Sequence, residues 1–368
     1  MSISPTRAVR PESPATIRTT AGQDLITAIL ASWMTLGGFV DGYAHRNLDT
    51  PETFFTPWHG VLYSGFLAVA GWLIWLMVRN RPHTSSLGAA IPAGYGTSVA
   101  GVLVFAAGGL GDMFWHIVFG IEVSIDALLS PTHLMLLVGA LLILSGPLRS
   151  AWLHADPGPG SGRRLPALLA LAMGAGQLGF FFQYMDGTSV RLMQTAYVPG
   201  TEEGYFAVVA GFGSILVTTI ILIGALLLLM RRWALPPGAG LVLFGVFGLL
   251  MEALEGFEFP EDLIAPLAAG LAVEVLHPAL RPSAARLSRL RVFVFAVPVV
   301  MWSVRFAVFE LYSDINWPVA VWTGVIFFSG LTGVGLSLLV SPPDGGETMP
   351  GTGVGVFRES VDTGSGWL

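Results

Sequence analysis

The chain has 368 residues and a formal net charge of −6, with 53% hydrophobic and only 11% charged residues. A soluble globular domain carries about 25% charged residues, so most of this surface does not face water, and no nucleic-acid partner is expected. The absence of cysteine excludes disulfides, thiolate ligands and a cysteine nucleophile, and leaves nitrogen and oxygen donors for any metal.

Apolar runs of roughly 20 residues, enough for a helix to cross the hydrocarbon core, recur along the whole length. No stretch alternates as a barrel strand does. The expected fold is an all-α polytopic transmembrane bundle whose principal partner is the lipid bilayer. Residues 1–24 are polar, carry Arg7, Arg10 and Arg18, and read as a disordered tail followed by an uncleaved first helix. Ten spans follow, at 25–45, 57–79, 94–118, 131–148, 166–185, 204–230, 239–257, 262–278, 291–312 and 317–340. The first four, within 25–150, form one unit, and the last six, within 166–340, a second. The linker between them, 151–165, contains HADPGPGSGRR, and a Gly/Pro/Asp-rich segment at 341–368 has no core-forming pattern.

Arginine placement orients the bundle. The two tails and the loops after even-numbered spans hold fifteen arginines, whereas the loops after odd-numbered spans hold only Arg46 and Arg191. Positive charge is retained on the cytoplasmic side, which places both termini inside a bacterial-type inner membrane. The acidic residues fall the other way: Asp49, Glu52, Glu122, Asp126, Asp186, Glu202, Glu203, Glu258, Glu261, Asp262 and Asp314 lie in or beside outer loops. They read as a solvated acidic face, and more sharply as a surface that attracts cations.

The first four spans contain one pattern twice. GGFVDGYAH with FTPWHG is followed by GGLGDMFWH with LSPTHL. Asp41, His45 and His59 thus correspond to Asp112, His116 and His133, using four of the seven histidines. Asp and His four apart share a helix face. Thr56 and Ser130 read as N-caps, with Pro57 and Pro131 at the first helical position, where a missing N–H costs nothing. His59 and His133 then stand in the first turn of the next helix. There the positive end of the helix dipole disfavours the protonated ring and keeps nitrogen free to bind metal. All six side chains are expected in one outer layer.

Two histidines and a carboxylate with open positions suit copper, iron or zinc. The same groups could instead cap helices and bond one another. Two copies, each completed by a second histidine, favour metal, because ionisable residues inside a membrane are expensive. If the hairpins face each other, a bridged pair of ions would sit about 3.5–4 Å apart.

Later spans read as degenerate copies. Glu252 and Pro266 stand where Asp and Pro stood, with Ala268 replacing histidine; Arg305 and Pro318 do the same, with Ala320. The fifth and sixth spans match least, offering Gln183 and Asp186. The whole chain reads as five helical hairpins, two armed and three scaffold. Arg305 needs a partner at its depth, Glu252 or Glu310. Glu255 is a candidate extra ligand or proton carrier. Glu274 and His277 are expected to form a local pair.

Asp-x3-His with a further histidine about a dozen residues on resembles the metal-site motif of the C subunit of copper membrane monooxygenases, matched here by Asp41, His45 and His59 and again by Asp112, His116 and His133. The resemblance implies copper near the outer face and an enzyme oxidising small apolar molecules. It covers only these segments. The duplicated motif, the Ser/Thr-Pro cap before the second histidine and the extra spans depart from it.

The leading expectation is a membrane metalloprotein with copper or non-haem iron, acting as an oxidase or oxygenase on an apolar small molecule. No nucleotide-binding or haem-attachment pattern is present, so a partner would donate electrons. The alternatives are a metal uptake or delivery protein, a zinc hydrolase and a metal-free proton-coupled transporter. Nearly pure apolar inner halves of the first four spans argue against transport.

Overall fold

The computed structural model describes residues 16–48, 54–120, 125–154 and 162–340. The remaining tail segments, most of the Gly/Pro-rich linker and the loop acids Asp49, Glu52 and Glu122 lie outside them. Among the described residues there is no strand, only an isolated bridge between Ser283 and Arg286. The helices are α1 (Ala21–Asn47), α2 (Pro57–Asn80), α3 (Gly96–Phe119), a short α4 (Ile125–Leu129), α5 (Pro131–Leu153), α6 (Arg164–Phe181), α7 (Glu202–Met230), α8 (Ala239–Leu254), α9 (Ile264–Leu280), α10 (Leu287–Tyr312) and α11 (Val319–Val340).

Nine helical segments among the described residues are long and apolar enough to cross a membrane, and α8, at 16 residues, is a shorter apolar helix. Large apolar side chains such as Leu67, Ile74, Leu103 and Leu110 are exposed on the outside of the bundle. An apolar exterior of this extent belongs in lipid. The chain is a multi-pass membrane protein.

Local chemistry starts the helices where expected. Thr56 Oγ1 accepts the His59 N–H at 3.1 Å, Ser130 Oγ accepts the His133 N–H at 3.4 Å, and prolines follow both caps. The first helix begins earlier than expected, at Ala21, because Thr20 and Gln23 form a reciprocal capping box. Thr19 and Asp24 are buried, so the end of the expected tail belongs to the bundle. Asp24 takes hydrogen bonds from Thr19, Tyr95, Ser150 and Arg163, at 2.7, 2.8, 3.0 and 3.1 Å. This network ties α1, α5 and α6 together at the end opposite the histidine motifs.

Four of the five expected hairpins pair closely: α1 with α2, α3 with α5, α8 with α9 and α10 with α11. The α6/α7 pair departs from the pattern, as its weak sequence match foreshadows. Helix α6 packs chiefly on α5, α8 and α1, and α7 packs on α11.

Two expectations about the scaffold half are corrected. Arg305 is fully buried and pairs with Asp262, while Glu310 is exposed and Glu252 accepts the Phe259 N–H at 3.0 Å. Helix α8 stops at Leu254, and the chain folds the turn Pro260–Leu263 back into the bundle, which brings a loop acid and not a helical one to Arg305. Asp262 also meets Arg191 at 2.9 Å. Asp186 and Asp262 are therefore interior, and a solvated acidic face does not describe them. Glu274 uses both oxygens on the N–H groups of Gly238 and Gly240, each at 2.8 Å, closing the start of α8, and stays within electrostatic reach of His277 as its spacing predicts.

Removing one partner of a buried ion pair leaves an uncompensated charge and costs about 3–5 kcal/mol, whereas replacing both with apolar residues is often neutral. Asp262→Ala should therefore lower the unfolding midpoint of the detergent-solubilised protein sharply. The double variant Asp262→Leu/Arg305→Met should recover much of the loss. Equal midpoints for wild type and Asp262→Ala would show the pair to be structurally idle.

Candidate metal centre

Two glycine pairs draw the site-bearing helices together. A Cβ at Gly37 would lie 2.6 Å from the Leu62 Cα, and one at Gly65 would lie 2.6 Å from the Met34 Cα. Helices α1 and α2 thus touch backbone to backbone. In the second hairpin a Cβ at Gly139 would lie 2.6 Å from the Phe105 N, and one at Gly101 would lie 2.7 Å from the Gly139 O. Small residues permit this approach between helices in lipid. Gly37 precedes Asp41 by one turn, so the approach also sets how near α1 brings Asp41 and His45 to His59 at the start of α2.

The expected residues come together. In the first triad His59 Nε2 lies 3.4 Å from Asp41 Oδ2, His45 Nε2 lies 3.8 Å from Asp41 Oδ1, and the two rings are 5.6 Å apart. In the second, His116 Nε2 lies 3.4 Å from Asp112 Oδ2, His133 Nδ1 lies 3.2 Å from Asp112 Oδ1, and the rings are 6.0 Å apart. Each triad offers three ligand atoms, one per residue, within 4.8 Å of one another, the spread a single ion can gather.

Backbone and hydroxyl groups orient the rings. His59 Nδ1 lies 2.6 Å from the Phe54 carbonyl, which can only accept, so this nitrogen carries the proton and Nε2 turns a lone pair toward Asp41. A lone pair facing a carboxylate oxygen is repulsive until a cation or a proton lies between them. Asp41 Oδ1 is buried and accepts no hydrogen bond. The three residues of this triad could hold a cation. His133 Nδ1 contacts Ser130 Oγ at 2.8 Å, and the Thr132 hydroxyl donates to Asp112 Oδ1 at 3.0 Å.

Both triads line one cavity of about 750 Å³ with Met34, Leu62, Phe105, Leu136 and Phe180 on its apolar walls. Each triad is a ligand group of its own on this shared cavity. The Phe54 ring touches both, at 5.1 Å from His59 and 6.3 Å from His116. Asp41 is within electrostatic reach of Asp112 and His116.

The accessory candidates stand outside the triads. Glu255 lines the cavity but pairs with Arg46 at 2.7 Å. Burial pushes its carboxyl upward and the Arg46 guanidinium opposes the shift. Glu252 and Arg305 are engaged elsewhere, as described above. Tyr63 and Thr132 escaped the sequence reading. Tyr63 follows His59 by one turn, packs near Phe54, His59 and Phe105, and its ring fills the space left by Gly109 of α3. The spacing from His59 was the available signal for Tyr63, and the position between Pro131 and His133 for Thr132.

Gly37→Ala should cost about 1–3 kcal/mol by overpacking α1 against α2. Gly60→Ala, on the same pair of helices but with nothing within 4 Å, is the control and should be near neutral. Thermal unfolding in detergent reads both. Equal midpoints for the two variants would contradict the close helix approach.

No family model matches the chain, and no curated protein or solved structure matches it either. What the protein does has to come from the chemistry of the site itself.

Proposed function

We propose that this chain is a membrane metalloprotein that binds copper, or non-haem iron, in its two Asp/His/His triads and oxidises an apolar small molecule in the cavity they share. The observation that carries this reading is the meeting of two such triads on one chamber with apolar walls. Two imidazoles and a carboxylate leave coordination positions open and suit copper, iron or zinc. The resemblance to the C subunit of copper membrane monooxygenases favours copper.

A bound redox-active ion would supply electron transfer and Lewis acidity. The chain's own residues supply the rest. Asp41 and Asp112 offset the charge of an ion, and the Phe54 carbonyl holds the His59 ring in the tautomer that presents Nε2. Met34, Leu62, Phe105 and Leu136 offer an apolar surface to the substrate and exclude water. A volume of about 750 Å³ accommodates an organic molecule and not only a dissolved gas. The oxidant in this reading is dioxygen: one oxygen atom would enter the substrate, and the other would leave as water after taking up two protons and two electrons, the electrons coming from a partner protein. The arginine distribution supports cytoplasmic termini, with the triads at the outer face of a bacterial-type inner membrane.

Elemental analysis of the detergent-purified protein should find up to two ions per chain, with a Cu(II) resonance after copper loading. With one ion held by each triad, His45→Ala should lose one ion and keep the other, whereas a bridged pair should lose both. Chelation should lower the unfolding midpoint, since an ion at a free concentration of 100 times Kd stabilises by about 2.7 kcal/mol. Failure to retain copper, iron or zinc would overturn the reading. Retained ions without oxidation of any apolar substrate would point to metal capture or delivery instead.

A further inference from the structure

The two triads share a ligand set but not its surroundings, and the difference begins at one residue. Between the proline and the second histidine, the first motif carries Trp58 and the second carries Thr132. The Thr132 hydroxyl donates to Asp112 Oδ1 at 3.0 Å, and Ser130 Oγ holds His133 Nδ1 at 2.8 Å. Two of the ligand atoms in this triad are therefore satisfied by the protein alone. An indole has only an N–H and cannot take the place of a small hydroxyl beside a carboxylate.

In the first triad no hydroxyl supplies that compensation. Asp41 Oδ1 is buried and accepts no hydrogen bond, and the Phe54 carbonyl commits His59 Nδ1 so that Nε2 faces the same carboxylate as an acceptor. Thr56 serves the backbone N–H of His59. Exposure differs at the aspartate and the first histidine: the Asp41 and His45 side chains are 15% and 38% exposed, against 2% and 10% for Asp112 and His116, while the second histidine runs the other way, 10% for His59 and 22% for His133. A hydrated ion thus has its approach to the first triad past His45, and in the second it meets a more deeply buried carboxylate that already accepts a hydroxyl.

We propose that the two sites are unequal: the Asp41–His45–His59 triad is the high-affinity site for a nitrogen- and oxygen-binding divalent cation, and the Asp112–His116–His133 triad fills second and more weakly. This rests on the metal-binding reading given above. It adds an order of loading. The chamber then has a resident ion at the more open edge and a second position whose occupancy follows the supply of metal.

The test is calorimetric titration of the chelator-stripped, detergent-purified full chain with Cu(II). Two steps are expected, separated by about tenfold or more in Kd, the scale on which supporting hydrogen bonds alter metal affinity. Asp41→Asn should abolish the tighter step, and Asp112→Asn only the weaker one. His45→Ala, at the exposed edge where a folding defect is least expected, should also abolish the tighter step. A single step with two equal ions, or the reverse assignment, would overturn the inequality and leave metal binding intact. No bound copper at all would overturn both. A metal-free arm needs no ion: with chelator present, Asp41→Asn should raise the unfolding midpoint more than Asp112→Asn, because it removes the uncompensated carboxylate. The opposite ranking would also overturn the proposal.

Discussion

A carboxylate taken out of water must be compensated, and the way each buried aspartate meets that requirement organises this molecule. Asp24 collects three hydroxyl donors and one guanidinium. Asp186 is held by Thr188, Ser189 and Thr218. Asp262 sits against two arginines. Asp41 and Asp112 are the exceptions, confronted mainly by imidazole rings, which are neutral acceptors as readily as charged donors. A bundle that can neutralise three aspartates with hydroxyls and guanidinium groups had no chemical need to meet the other two with histidine. Two imidazoles beside a carboxylate are a donor set that could hold a transition metal.

The fold serves that arrangement through backbone proximity. In lipid, apolar side chains gain nothing by leaving one apolar environment for another, so helices associate through close packing and polar contacts. Gly37 and Gly65 let α1 and α2 touch, and Gly101 and Gly139 do so for α3 and α5. The helix ends are equally defined, by Thr56-Pro57 and Ser130-Pro131, which place the second histidine of each motif in a first turn. A ligand near the end of one helix and another at the start of its neighbour thereby reach the same depth. Phe54 then links the two hairpins through its contacts with His59 and His116.

The elements readable in advance were those carried by local rules. Span positions followed from apolar length, caps from Thr/Ser-Pro, and both triads from i,i+4 geometry plus duplication. What escaped needed tertiary information. The partner of Arg305 came from the Pro260–Leu263 turn, and no periodicity along α8 could reveal that the chain folds a loop acid inward. The burial of Thr19 and Asp24 depended on donors from residues 95, 150 and 163, far away in sequence. Tyr63 and Thr132 lay beside recognised ligands, yet their importance arises from what faces them across the helix pair. Charge distribution misled for the same reason: Asp186 and Asp262 count as loop acids in sequence and as interior groups in space.

The contrast between the two halves shows what the repeat has become. The armed hairpins keep Asp, His and a second His, and leave them oriented toward a cavity. In the later hairpins alanine stands in place of the second histidine, at Ala268 and Ala320, and arginine stands at the acid's position in the last copy. That arginine, Arg305, closes onto Asp262 of the preceding hairpin, and both are buried. Arg191 joins the same acid and stacks on Phe259, 3.4 Å from its ring centroid, at a wall of the same cavity. Guanidinium cannot give up its proton to bind a metal, so the last hairpin cannot host an ion at the acid's position. The later hairpins thus set their buried charges against one another. The first two hairpins bring imidazole and carboxylate groups together on the same cavity instead. One chamber is therefore lined both by residues that could hold an ion and by a guanidinium already committed to a carboxylate.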